Sequence, residues 1–94
     1  MITWDWIKRK KPVDISLKKR LEEDIMVIYG KGMEICYLNK VGGEIISLSN
    51  GKNTIADIFN MLLQTYDVSK NELKEDILLL IRELQWKRFV RLEE

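Results

Sequence analysis

The side chains that usually carry covalent chemistry are sparse in this chain. It has no histidine and a single cysteine, Cys36. Ser47, Ser49 and Cys36 are therefore nucleophiles without an imidazole to take their protons, and no spacing singles out a Lys or carboxylate as a substitute base. One cysteine and scattered carboxylates also fall short of the ligand sets that zinc or calcium require. Gly30, Gly32, Gly42, Gly43 and Gly51 fit neither phosphate-cradling nor dinucleotide-binding spacing, because no Gly-Lys-Ser/Thr follows and no G-x-G-x-x-G occurs. The expectation is a non-catalytic protein with no metal and no cofactor. Cys36 itself reads as a small, half-buried strand residue rather than a reactive thiol.

What remains is binding chemistry, and residues 69–86 carry most of it. Ser69-Lys70-Asn71-Glu72 has the form of a capping box, and Leu73, Ile77, Leu80, Ile81 and Leu84 mark one core stripe of a helix. At about 100° per residue, Leu79 and Trp86 fall about 140° or more from the centre of that stripe and cannot share it. They align instead on a second face, with Glu72, Asp76 and Glu83 beside them and Glu75 and Arg82 on its margin. An apolar strip edged by charge marks a contact surface, to be covered by the N-terminal arm, a second subunit or a peptide. The cluster Glu72, Glu75 and Asp76 equally suits a solvated helix start, where carboxylates meet the positive end of the helix dipole.

The elements that hold this helix are legible upstream. Ile25 to Tyr29 is β-branched and aromatic, Gly30-Lys31-Gly32 is a turn, and Met33 to Leu38 resumes an extended pattern, which together make a hairpin. Along its second strand Met33, Ile35 and Tyr37 face one side while Glu34, Cys36 and Leu38 face the other. An earlier short strand is expected around Val13 to Leu17. Asn39 is a good N-cap for a first helix stopped by Asn50-Gly51, within which Gly42-Gly43 imply close packing against a neighbour. A second helix starts at Thr54, with Ile55, Ile58, Phe59, Leu62 and Tyr66 as its stripe. Phe89 to Leu92 reads as a terminal strand. The order strand, strand, three helices, strand is a winged-helix pattern in an α+β chain, a small N-terminal antiparallel sheet packed on three helices. Met1 to Pro12, with Trp4, Trp6 and the basic run Lys8 to Lys11, reads as an arm that folds back, packs in a dimer or docks on a partner.

The composition narrows the role further. Ninety-four residues fit one domain, and 46% hydrophobic content suffices for one modest core with little room for a deep catalytic cavity. Sixteen basic against fifteen acidic side chains leave a formal charge of +1, so no overall field favours nucleic acid or an anionic membrane. No apolar run approaches the ~20 residues of a membrane helix, and no signal-peptide centre is present. A reducing, cytoplasmic setting is expected.

Three stretches then carry a family resemblance. Tyr37-Leu38-Asn39-Lys40-Val41-Gly42-Gly43-Glu44-Ile45, Asn50-Gly51-Lys52-Asn53-Thr54-Ile55-Ala56-Asp57-Ile58 and Tyr66-Asp67-Val68, followed by the third helix, resemble the PqqD family. The resemblance spans Asp24 to Leu92, which divides the chain into an arm at 1–12 and a recognition domain at 13–94. It implies a winged-helix domain that recognises the leader segment of a ribosomally made precursor peptide and presents it to a maturase, such as a radical SAM enzyme or a leader peptidase. It further implies that the leader adds as an antiparallel strand to the last strand of the N-terminal sheet, beside the third helix. The main chain of Glu34, Ile35, Cys36 and Tyr37 would then pair with the leader, with Ile35, Tyr37, Asp76, Leu79, Arg82, Glu83 and Trp86 as pocket residues. An exposed strand edge with flanking apolar pockets suits that role. Competing roles are a winged-helix nucleic-acid binder using Lys70, Asn71, Lys74, Lys87, Arg88 and Arg91, which the carboxylates of the same helix oppose, or an assembly module forming a homodimer.

Overall fold

The computed structural model describes residues 3–94. The elements are α1 (Trp4–Ile7), β1 (Lys11–Asp14), β2 (Lys18–Glu22), β3 (Ile25–Tyr29), β4 (Ile35–Leu38), α2 (Lys40–Leu48), α3 (Ile55–Thr65), α4 (Lys70–Trp86) and β5 (Val90–Glu93). This is the expected α+β winged-helix architecture, with a three-stranded antiparallel sheet in the order β2-β3-β4 and a two-stranded sheet of β1 and β5. The helix starts are fixed by side-chain caps, each satisfying an N–H that a helix leaves unbonded. Asn39 accepts from Gly42, Thr54 and Asp57 close a reciprocal capping box, and Ser69 accepts from Glu72. Of the box expected at Ser69, only this half is made.

Three strands depart from the sequence pattern. The second hairpin strand, expected from Met33, begins at Ile35, because Met33 turns left-handed at φ 66°. The short strand expected around Val13 to Leu17 is instead two strands in different sheets. Asp14 accepts hydrogen bonds from both the main-chain N–H and the hydroxyl of Ser16, at 2.9 and 2.6 Å, and the resulting turn ends β1 and redirects the chain into β2. All five residues of β2 are exposed, so no alternation of burial announces it. The terminal strand, thirdly, starts at Val90, one residue later than expected. Arg88 occupies the left-handed region at φ 63°, Arg88 N–H bonds the Gln85 carbonyl, and Phe89 N–H bonds the Leu84 carbonyl. These are the two bonds of a Schellman helix end, which drives Phe89 inward to full burial.

Two apolar clusters hold the layers together. One joins the helices through Ile45, Ile55, Ile58, Leu62, Ile77 and Ile81. The other ties sheet to helices through Ile28, Leu38, Ile46, Leu84, Phe89 and Val90. Gly43 lets α2 lie close on β3, since a Cβ there would stand 3.3 Å from that of Met26. Gly30 brings the β3–β4 turn down on Phe89, whose ring would lie 2.9 Å from an added Cβ.

The N-terminal segment folds back on the domain, one of the placements expected for it. The division expected at Pro12 falls inside β1. Ile7 is fully buried in the helical cluster, and the Trp4 ring meets Phe59 edge-on at 5.1 Å. The carbonyls of Lys8 and Lys10 accept from Ala56 and Ile55 at 3.0 and 2.9 Å, so the arm bonds the free N–H groups at the start of α3. Lys10 also bridges Glu94, which holds that carboxyl below its ordinary pKa. We expect Ile7→Ala to destabilise the fold by about 2–5 kcal/mol in urea unfolding, the range for deleting a buried aliphatic side chain. An unchanged midpoint would mean that the arm does not belong to the folding unit.

Candidate functional site

The site is built on the hydrogen-bond parity of β3. The turn after β2 has two residues, Glu23 and Asp24, so Glu22 and Ile25 form its closing bonded pair and alternation makes Arg20–Val27 and Lys18–Tyr29 bonded pairs. On the other side Gly30 N–H donates to the Glu34 carbonyl at 2.8 Å, which by the same alternation bonds Ile28 to Cys36 and Met26 to Leu38. Each β3 residue thus serves one neighbour or the other. On β4, Cys36 and Leu38 turn their main-chain groups toward β3, as does Glu34 just before the strand, while those of Ile35 and Tyr37 point away from it. Among the described residues no strand lies beyond β4, so these groups line an open edge.

That edge is accompanied by α4. A recess of about 490 Å³ is lined by Tyr37 and Leu38 of β4, Val41 and Ile45 of α2, Tyr66 and Val68 of the α3–α4 connection, and Leu73, Asp76 and Leu80 of α4. Farther along, Cys36 lies within electrostatic reach of Glu83 and Lys87. At the hairpin end Glu34 lines a second recess with Lys31, Trp86, Lys87 and Arg88. The outward flank of α4 supplies a shallow groove of about 1050 Å³ along Leu79, Arg82, Glu83, Gln85, Trp86 and Arg88. Tyr37 is 71% exposed and Trp86 85%, large apolar surface for a domain of this size.

The structure therefore divides the residues singled out in sequence. Ile35, Cys36 and Tyr37 lie on the open strand, whereas Glu34 stands one residue before it, in the hairpin turn. Asp76 shares the first recess with Tyr37, whereas Leu79, Arg82, Glu83 and Trp86 share the groove on the outer flank, and Trp86 also lines the hairpin-end recess with Glu34. Sequence reasoning missed Leu80, Tyr66, Val68 and Lys87. Leu80 sits on the helical row assigned to the core, and here it packs against both clusters while bordering the recess. Lys87 follows Glu83 by one helical turn, a spacing that could have signalled their ion pair at 3.0 Å.

Local electrostatics are modest. Burial first, then the Glu83 carboxylate, push the Cys36 thiol above its ordinary pKa, with Lys87 acting the other way. Glu83 holds the Lys87 ammonium above its usual range by a hydrogen bond. The Tyr66 hydroxyl is buried without a hydrogen-bond partner among the described residues, and burial followed by the Glu44 charge raises its pKa. Glu44 acts on it by charge and by a hydrogen-bonding approach that falls short of a well-formed bond. Among the described residues there is no cluster of three metal-ligating side chains, and no helix is long and apolar enough to cross a membrane.

Comparison with known proteins adds two findings. The sequence model of the family described as coenzyme PQQ synthesis protein D (PqqD) matches residues 25–90, from the first residue of β3 to that of β5. Among solved structures, TbiB1 in complex with the TbiA(beta) leader peptide is similar over 84% of this chain and 93% of that one, with a TM-score of 0.73 and 19% identity. At that identity the likeness is one of fold. No curated protein matches the chain.

The geometry makes a prediction for Cys36. Alkylation follows the thiolate fraction, so iodoacetamide at pH 8 should modify Cys36 more slowly than free cysteine. Glu83→Gln should speed the reaction several-fold by removing a repelling charge, and Lys87→Met should slow it. Indistinguishable rates in the three proteins would contradict the assigned surroundings of the thiol.

Proposed function

The chain belongs to the PqqD family, and from that premise we propose that it binds the leader segment of a ribosomally synthesised precursor peptide and presents it to a modifying enzyme. The observation that carries this reading is the open β4 edge, where the free main-chain groups of Ile35 and Tyr37 stand beside an apolar recess. The leader-peptide complex formed by TbiB1, a protein of the same fold, supports it.

The parity of β4 dictates how a guest would sit. Guest residues opposite Ile35 and Tyr37 exchange main-chain bonds with them and point their side chains away from the helices. The residue between them lies opposite Cys36 and enters the cleft toward Leu80 and Glu83, and the next alternate residue faces the recess of Tyr66, Val68 and Leu80. Affinity then comes from main-chain bonds and selectivity from every second side chain, as in other strand-addition complexes. Leu79, Arg82 and Trp86 form the outer wall, and Asp76 the polar rim at the Tyr37 end. The protein performs no chemistry on the peptide. Its contribution is to convert a disordered leader into an ordered strand from which a maturase works.

The nucleic-acid alternative loses support from the ion pairs of its candidate cations. Lys87 is paired with Glu83 at 3.0 Å and Arg91 with Glu93 at 2.8 Å, while the Lys74 ammonium lies over the Trp4 and Phe59 rings. Phosphate contacts would have to displace these partners in the presence of Glu72, Glu75 and Asp76.

Calorimetric titration with the leader peptide encoded beside the gene tests the proposal. We expect saturable binding, and at least a tenfold loss of affinity, about 1.4 kcal/mol, in Tyr37→Glu and in Leu79→Glu with circular dichroism unchanged. Full affinity in both variants would refute the assigned pocket. Binding of random duplex DNA with a steep salt dependence, and none of the leader, would replace the proposal with nucleic-acid recognition.

A further inference from the structure

The opposite edge of the same sheet is also open. By the parity above, Arg20 and Lys18 bond to β3, so the main-chain groups of Lys19 and Leu21 point outward, with no strand beyond them among the described residues. Natural sheets often guard such an edge with charged side chains, especially lysine, and a row of one sign would repel a second copy of itself. Here the sign changes midway. Lys18, Lys19 and Arg20 precede Leu21, and Glu22, Glu23 and Asp24 follow it.

Such an edge repels a parallel copy of itself and attracts an antiparallel one. Outward groups must meet outward groups, which places the two-fold axis at Leu21 or an adjacent position of matching parity. Centring it on Leu21 sets Arg20 opposite Glu22 and repeats that pair across the axis, while Lys18 and Lys19 of each strand run toward the acidic turn residues Glu23 and Asp24 of the other. Centring it on Arg20 would oppose two guanidinium groups. Leu21 is 68% exposed and stands at a recess of about 230 Å³ formed with Met26, Lys40 and Gly43, so its symmetry mate would cover apolar surface that the monomer leaves wet.

We propose that the β2 edge is a self-association surface, on which a second copy of this chain pairs antiparallel about Leu21 to make a continuous six-stranded sheet. The monomer already holds Arg20 against Glu22 at 3.0 Å, and the dimer exchanges that bridge within one strand for bridges between strands. A single short strand buries less than the ~800 Å² per partner of a stable complex, so the association is weak and concentration-dependent. Because its complementarity is ionic and exposed, it falls with added salt. The leader edge lies on the far side of β3 and stays free, so each subunit of the dimer keeps its own peptide site.

The test is sedimentation equilibrium of the full chain from micromolar to millimolar concentration, for the wild type and two charge-swapped variants. These are Lys18→Glu with Arg20→Glu, and Glu22→Lys with Asp24→Lys, each checked for cooperative unfolding. They leave Lys19 in its bridge to Asp14. The expected result is a salt-sensitive dimer in the wild type, monomer in each variant alone, and restored dimer in their equimolar mixture. A wild type that stays monomeric throughout would overturn the proposal, as would variants that dimerise alone or a mixture that stays monomeric. Leader affinity, read at the other edge, is expected to be unchanged in both variants, so failure here and failure of leader binding are separable.

Discussion

Strand β3 can offer each of its main-chain groups to one side only, and that constraint shapes the rest of the molecule. Ile25, Val27 and Tyr29 are committed to β2, and Met26 and Ile28 to β4, so both outer strands retain free groups at every second residue. Which residues those are follows from the two turns. A two-residue turn at Glu23–Asp24 and the Gly30–Glu34 bond fix the registers, and a slip of one residue would exchange outward and inward groups throughout. Side-chain direction is tied to the same count. Leu38 faces the helices and is buried, whereas Ile35 and Tyr37 face away and remain exposed. The open edge and its neighbouring recess are thus consequences of a single register.

The helical layer gives the edge its wall. Helix α4 lies along β4 because Leu84 and Phe89 share a cluster with Ile28 and Leu38, and the left-handed turn at Arg88 puts Phe89 under the β3–β4 hairpin. The arm acts at a distance from this site. By burying Ile7 and bonding the first turn of α3, it braces the helices against which α4 packs, and the antiparallel pairing of β1 with β5 ties the first and last strands together. Its folded position leaves β4 uncovered by the described residues, since the arm's strand pairs with β5 and bridges Asn50 after α2.

Much of this was legible in sequence where the signal is local. The caps at Asn39, Thr54 and Ser69 name three helix starts because a cap needs only a polar side chain and an N–H three residues on. The hairpin announces itself by β-branched runs around Gly30-Lys31-Gly32. Exposure of Leu79 and Trp86 follows from helical angle alone. What stayed hidden depends on distant partners. Strand β2 exists because β3 offers it bonds, and its charged residues carry no strand signature. Ile7 is core only because α3 and α4 arrive to cover it. Tyr66, Val68 and Leu80 join the recess through the crossing of three elements, and no spacing in the sequence encodes that crossing. The split of Asp76 from Leu79 into separate depressions is likewise set by how α4 is rotated against β4.

The central claim is that a leader strand takes up the free main-chain groups of Ile35 and Tyr37. Amide hydrogen exchange followed by NMR, with and without saturating leader peptide, reads those groups individually. Strong slowing is expected at Ile35 and Tyr37 on binding, with little further change at Cys36, whose N–H already bonds β3, and none at Lys19 and Leu21. Leader binding that leaves Ile35 and Tyr37 exchanging as in the free protein would contradict the claim.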